Sequence, residues 1–66
     1  MDDHWVRIYR FTFGSNSVWL FRNRKHNTFA CSIRTPYTDV PLQLQDQEYM
    51  VDAVMAAIIR LSSEKK

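Results

Sequence analysis

Between His4 and Thr35 the chain carries six Arg or Lys (Arg7, Arg10, Arg22, Arg24, Lys25, Arg34) and seven aromatic residues, with no Asp or Glu. Cations set among flat rings can hold a single-stranded nucleic acid, because bases stack on the rings while guanidinium and ammonium groups take the phosphates. Folded surfaces ordinarily intersperse both signs, so an acid-free, aromatic half describes a surface directed at something negative. The acids lie at the N-terminus and in the second half (Asp39, Asp46, Glu48, Asp52, Glu64), and the formal net charge is only +2. Dedicated nucleic-acid modules tend to carry a larger excess, but the local field matters more than the sum.

Other chemistries lack their residues. His4 and His26 have no Cys, Asp or Glu at ligand spacing, which argues against zinc. Cys31 is the only cysteine and has no signature base, so it reads as a small core residue. A single Gly removes the glycine-rich phosphate loops and the dinucleotide fingerprint. No acidic spacing marks a carboxylate pair. The reading is a binding protein and not an enzyme, with no cofactor and no metal.

These residues need a scaffold, and 66 residues make one domain, 1–66, that buries only roughly 60% of its unfolded surface. One cysteine excludes an internal disulfide, so self-association is the remaining supplement to stability. Met1-Asp2-Asp3 does not begin a signal peptide, and no apolar run approaches the ~18 residues of a membrane span, so a cytoplasmic, reducing location is expected.

Trp5 to Phe13 is β-branched, aromatic or Arg and stops at Gly14-Ser15-Asn16-Ser17, a cluster of turn formers. Val18 to Lys25 repeats that composition, His26-Asn27 is a second turn signal, and Thr28 to Thr35 is a third β-rich run before Pro36. Val40 to Leu44 alternates as a short fourth strand at an edge, where Pro41 is tolerated. Asp46 suits an N-cap, Glu48 complements the helix dipole, and Tyr49 to Leu61 favour helix. Ser62, Ser63 and Lys65-Lys66 suit a fraying C-terminus. The fold class is therefore α+β: an antiparallel three- to four-stranded β-meander followed by one C-terminal helix packed on one face.

Two-residue turns at Ser15-Asn16 and His26-Asn27 pair Phe13 with Val18, Phe11 with Leu20, Tyr9 with Arg22 and Arg7 with Arg24, and place Phe29, Cys31 and Ile33 on that same core face. The opposite face then carries Arg10, Trp19, Phe21, Lys25 and Arg34, with Trp19 between Thr12 and Arg34, and Phe21 between Arg10 and Ser32. Such Arg–aromatic neighbours equally serve as cation–π pairs worth ~0.5–1 kcal/mol at an exposed site, or as a surface buried by a second protomer.

At 100° per residue, Met50, Val54, Ala57, Ile58 and Leu61 form one helix stripe suited to the sheet. Val51, Met55 and Ile59 form a neighbouring stripe beyond the reach of one small sheet, and between Tyr49 and Leu61 only Asp52 and Arg60 are charged. An interface through Val51, Met55 and Ile59 or a wide core stripe both fit this pattern.

Three meandering strands ending in Ser32-Ile33-Arg34, a loop, a short Leu42-Gln43-Leu44 strand, and Asp46-Gln47-Glu48 before a terminal helix resemble the single-stranded-DNA-binding transcriptional coactivators of the positive-cofactor type. That resemblance implies a curved four-stranded sheet binding single-stranded DNA, a homodimer built by the terminal helix, and a backbone contact from Arg34. Where that family usually has Lys-Gly before strand four, this chain has Asp39-Val40-Pro41. Three strands and a helix also resemble the arm-binding domains of tyrosine recombinases, which would make Arg7, Arg10, Arg22 and Arg24 readers of duplex DNA.

Beside a purely structural role within a larger assembly, two functions remain open. One is a homodimeric nucleic-acid-binding module preferring single strands, with Trp19 and Phe21 stacking and Arg10, Lys25 and Arg34 holding phosphates. The other is a small inhibitor or adaptor, of the kind encoded by phages and mobile elements, that binds a host protein through its apolar helix flank or its sheet face.

Overall fold

The computed structural model describes residues 4–63, and Asp2, Asp3, Glu64 and the terminal lysines lie outside the described residues. Four strands, β1 (Trp5–Phe13), β2 (Asn16–Asn23), β3 (Thr28–Arg34) and β4 (Leu42–Gln43), form an antiparallel sheet in the order β1-β2-β3-β4, and one helix, α1 (Met50–Ser63), follows. The fold class expected from the sequence is the one observed.

Both hairpins are shifted by two residues from the expected pairing, which leaves the faces of β2 and β3 unchanged because side chains alternate with a period of two. Phe13 faces Asn16 and Phe11 faces Val18, so the first turn is Gly14-Ser15, with Gly14 at φ 64°. Positive φ costs glycine nothing, which is why the turn centres there instead of on Ser15-Asn16.

The second turn spans Arg24 to Asn27, since Asn23 faces Thr28. Asn23 explains its length. Its buried side-chain carbonyl accepts hydrogen bonds from the amides of Lys25 (2.9 Å) and His26 (3.0 Å), and its backbone carbonyl accepts one from Asn27 (2.7 Å). Asn27 takes the left-handed conformation (φ 56°) that Asn tolerates, and its side-chain oxygen accepts from the Arg22 guanidinium at 3.0 and 3.2 Å.

In β1 the register slips between Arg7 and Tyr9: Arg7 faces Phe21, Tyr9 faces Leu20, and Ile8 is the extra residue of a β-bulge. The slip reverses the facing of everything before it. Arg7, expected on the core face opposite Arg24, is turned to the open face, while Val6 is brought opposite Arg22.

The core lies between the sheet and α1: Val18, Leu20, Cys31 and Ile33 meet Ala53, Ala57 and Leu61, with Phe11, Phe13, Phe29, Leu44 and Val54 at its margin. Each large apolar side chain buried there contributes about 1.5–3 kcal/mol. The helix is rotated from the expected stripe. Ala53 and Ala57 are fully buried against the sheet while Met50 is 49% exposed, because small residues let the helix axis settle near the sheet.

Helix entry also differs from expectation. Gln47 is paired to Phe29 by two backbone hydrogen bonds (2.7 and 2.8 Å), which holds that segment extended beside β3. Asp46 therefore does not cap α1, whose first turn is closed by the amides of Asp52 and Ala53 donating to the carbonyl of Tyr49 (3.1 and 3.2 Å).

This bridge also fixes which way the helix flanks point. Phe29 turns its amide and carbonyl toward β4 and its side chain toward the core, and α1 runs from that end of β3 to Leu61, which shares a cleft with Ile33 and Phe13. For L-residues in a right-handed helix running this way, Val54 and Ile58 turn toward β1 and Arg60 toward β4. Val51, Met55 and Ile59 continue the apolar flank around the β1 side and outward.

Replacing Asn23 with Ala strips two turn amides of their acceptor and should lower unfolding free energy by about 1–2 kcal/mol in urea titration. Ala57→Leu should cost about 1–3 kcal/mol by forcing the helix off the sheet.

Candidate functional site

The sheet face opposite α1 gathers the cations and rings of β1 and β2. Trp19 faces Arg10 on one side and Ser32 on the other, and Phe21 faces Arg7 and Ala30. Because the bulge brings Arg7 onto this face, two guanidiniums attend one indole: Arg7 at 4.3 Å and Arg10 at 5.3 Å from the Trp19 ring centroid. Each contact of this kind is worth ~0.5–1 kcal/mol at an exposed site. The stack holds the arginines on the sheet, with no carboxylate anywhere in β1, β2 or β3.

Toward the other end of this face Trp5, Phe21 and Ala30 line a small recess with Gln43, Leu44 and Asp46. Ala30 and Ser32 are buried on what the alternation makes the open face, and Trp5, Trp19 and Phe21 are half-buried. The rings thus lie over the small residues of β3 and present a partly covered platform.

Of the site residues expected from sequence, the structure brings together Arg10, Trp19 and Phe21. Lys25 is exposed in the β2–β3 turn and not on the strand face, a consequence of the turn being longer than two residues. Arg34 lies opposite Ser17 instead of Trp19, on the same face as Ser32, and donates to the backbone carbonyl of Asp39 at 3.4 Å. Arg7 is the residue sequence reasoning missed, since only the bulge at Ile8 assigns it to this face.

The helix-side residues Val51, Met55 and Ile59 are 64%, 48% and 60% exposed, so the sheet leaves this stripe uncovered. On the core-facing side of β1, Tyr9 is 61% exposed and stacks obliquely on Phe11, with ring centroids 6.3 Å apart. A separate open cleft of about 650 Å³ lies under the 35–42 segment, between Phe13, Ile33, Val40 and Leu61, and no charged side chain lines it.

Cys31 is buried between Leu20 and the β4 segment, and desolvation pushes its thiol up from the ordinary 9.0. It remains a neutral thiol, the opposite of an activated nucleophile. Among the described residues there is no group of three or more His, Cys, Asp or Glu placed to hold a metal, and no helix is long and apolar enough to cross a membrane. No protein-family model, curated protein or solved structure matches the chain.

A thiol reagent should modify Cys31 at the rate of global unfolding, and rapid labelling of the native protein would contradict its burial. With the folded thiol holding its proton more tightly than the unfolded one, this residue's contribution to stability is complete below pH 9.0 and declines as the pH rises past it, measurable as a lower melting temperature in alkaline buffer that Cys31→Ala lessens.

Proposed function

We propose that this protein is a small nucleic-acid-binding module with a preference for single strands, acting in the cytoplasm as a homodimer. The observation that carries the reading is the Arg7–Trp19–Arg10 stack on a sheet face whose strands contain no acid. Guanidinium planes held over a ring offer both a π surface to bases and a positive charge to phosphates. Phe21 and Trp5 extend the platform along β2 and β1, and Arg34 extends the positive stripe toward the end of β3. Lys25 and Arg24, in the β2–β3 turn, suit contacts to backbone that overhangs the sheet edge.

Homodimerisation fits the exposed stripe Val51, Met55 and Ile59, whose burial against a second copy would add the apolar area that a chain of this size lacks. The same exposed stripe favours a second reading, an inhibitor or adaptor that presents this flank to a host protein.

Fluorescence anisotropy with labelled single-stranded and duplex oligonucleotides tests the first reading. Affinity for single strands should fall with salt at about −0.7 in log K per log salt for each phosphate neutralised, with parallel quenching of Trp emission. Trp19→Ala and Phe21→Ala should each weaken binding by roughly 1–3 kcal/mol with the fold retained by circular dichroism. Absence of binding at low salt sinks this reading. Met55→Glu should give a monomer in sedimentation equilibrium if the helix stripe joins two copies; an unchanged mass would leave that stripe to a foreign partner.

A further inference from the structure

We propose that the outer edge of β1 accepts an extended peptide from another protein, added as a fifth strand, whose side chains alternate between acidic and apolar. β1 ends the sheet order and is nine residues long, so its outward backbone donors and acceptors form a row that no strand among the described residues pairs. The opposite edge offers no equivalent: β4 has two residues, follows Pro41, and gives way at once to the Gln47 bridge.

The two faces flanking this edge differ in chemistry, and that difference specifies the occupant. A strand laid about 4.8 Å outside β1 sends alternate side chains to opposite faces of the sheet. One set arrives on the open face beside Arg10 and Arg7, whose guanidiniums the Trp19 ring already holds at 5.3 and 4.3 Å. Carboxylates belong there. The other set arrives beside Tyr9 and Phe11, on the side of the sheet that carries the helix, where Tyr9 is largely exposed and Phe11 borders the core. Aliphatic or aromatic side chains belong there. The bulge at Ile8 interrupts the edge, so the ladder runs along Tyr9 to Phe13, and the same bulge returns Arg7 to the face of Arg10.

A second copy is the poorer occupant of this edge. Antiparallel pairing of β1 with itself would set Arg7 and Arg10 beside the same residues of the partner in a strand without a single acid, and like charges across a strand pair repel. A nucleic acid has no amide ladder to offer an edge. The inference does not rest on nucleic-acid binding, but it shares Arg7 and Arg10 with that reading, so an acidic strand and an oligonucleotide would compete.

The test is anisotropy of the full chain with labelled synthetic peptides as long as β1: one alternating Glu and Val, one with Lys in place of Glu, and one Glu–Val peptide N-methylated at alternate residues so that it cannot form a ladder. The Glu–Val peptide should bind, the other two should bind at least about tenfold more weakly, and amides of Tyr9 to Phe13 should gain protection from hydrogen exchange. The double variant Arg7→Glu, Arg10→Glu should reverse the preference in favour of the Lys peptide, a gain that a misfolded chain could not show. Failure of the Glu–Val peptide to bind at about 1 mM, equal binding of the N-methylated peptide, or protection confined to other elements would each overturn the proposal. Peptide binding without oligonucleotide binding would sustain it and remove the nucleic-acid reading; the reverse result would do the opposite.

Discussion

A helix is about 10–12 Å across and neighbouring strands lie about 4.8 Å apart, so one helix covers two strands. This sheet has four. Everything distinctive about the molecule follows from how that mismatch is resolved. The helix lies over β3 and β2, where Ala53, Ala57 and Leu61 meet Val18, Leu20, Cys31 and Ile33, and it leaves β1 as a long, half-solvated margin. With only one helical layer available, the second sheet face has no cover except its own side chains.

The chain meets that second demand by laying Trp5, Trp19 and Phe21 across Ala30 and Ser32, and by holding Trp19 with two arginines. The open face is thereby both a minor core and a positive surface. The two roles do not conflict, because a guanidinium over an indole loses little hydration at its edges and keeps its donors directed outward. The β1 margin is polarised in consequence, with cations on one side and apolar groups on the other.

Face assignment in β2 and β3 was legible from alternation alone, since a shift by two preserves it, and the apolar sets Val18, Leu20 and Cys31, Ile33 survived misplaced turns. Turn lengths were not legible. The β2–β3 turn is set by a buried Asn23 side chain capping two amides, a tertiary circumstance that Asn at this position announces only weakly. The bulge at Ile8 left no mark in a run where every residue favours strand, so Arg7 was assigned to the wrong face and the Arg7–Trp19 contact was missed. In the helix, Met50 outranked Ala53 by hydrophobicity, whereas packing distance favoured the smaller residue. Asp46 read as a cap because its pairing segment, through Gln47 to Phe29, depends on a strand 18 residues earlier in sequence. The exposed stripe Val51, Met55, Ile59 was legible because it depends only on helical spacing.

The molecule measures 37 × 22 × 16 Å, so along its shortest axis it is two layers and nothing more. In a slab that thin the core side chains lie close to both outer faces. Whatever settles on either face becomes, in effect, a third layer of the fold. By mass action, any molecule that bound the folded chain there would raise its stability, so a rise in melting temperature would report occupancy of either face.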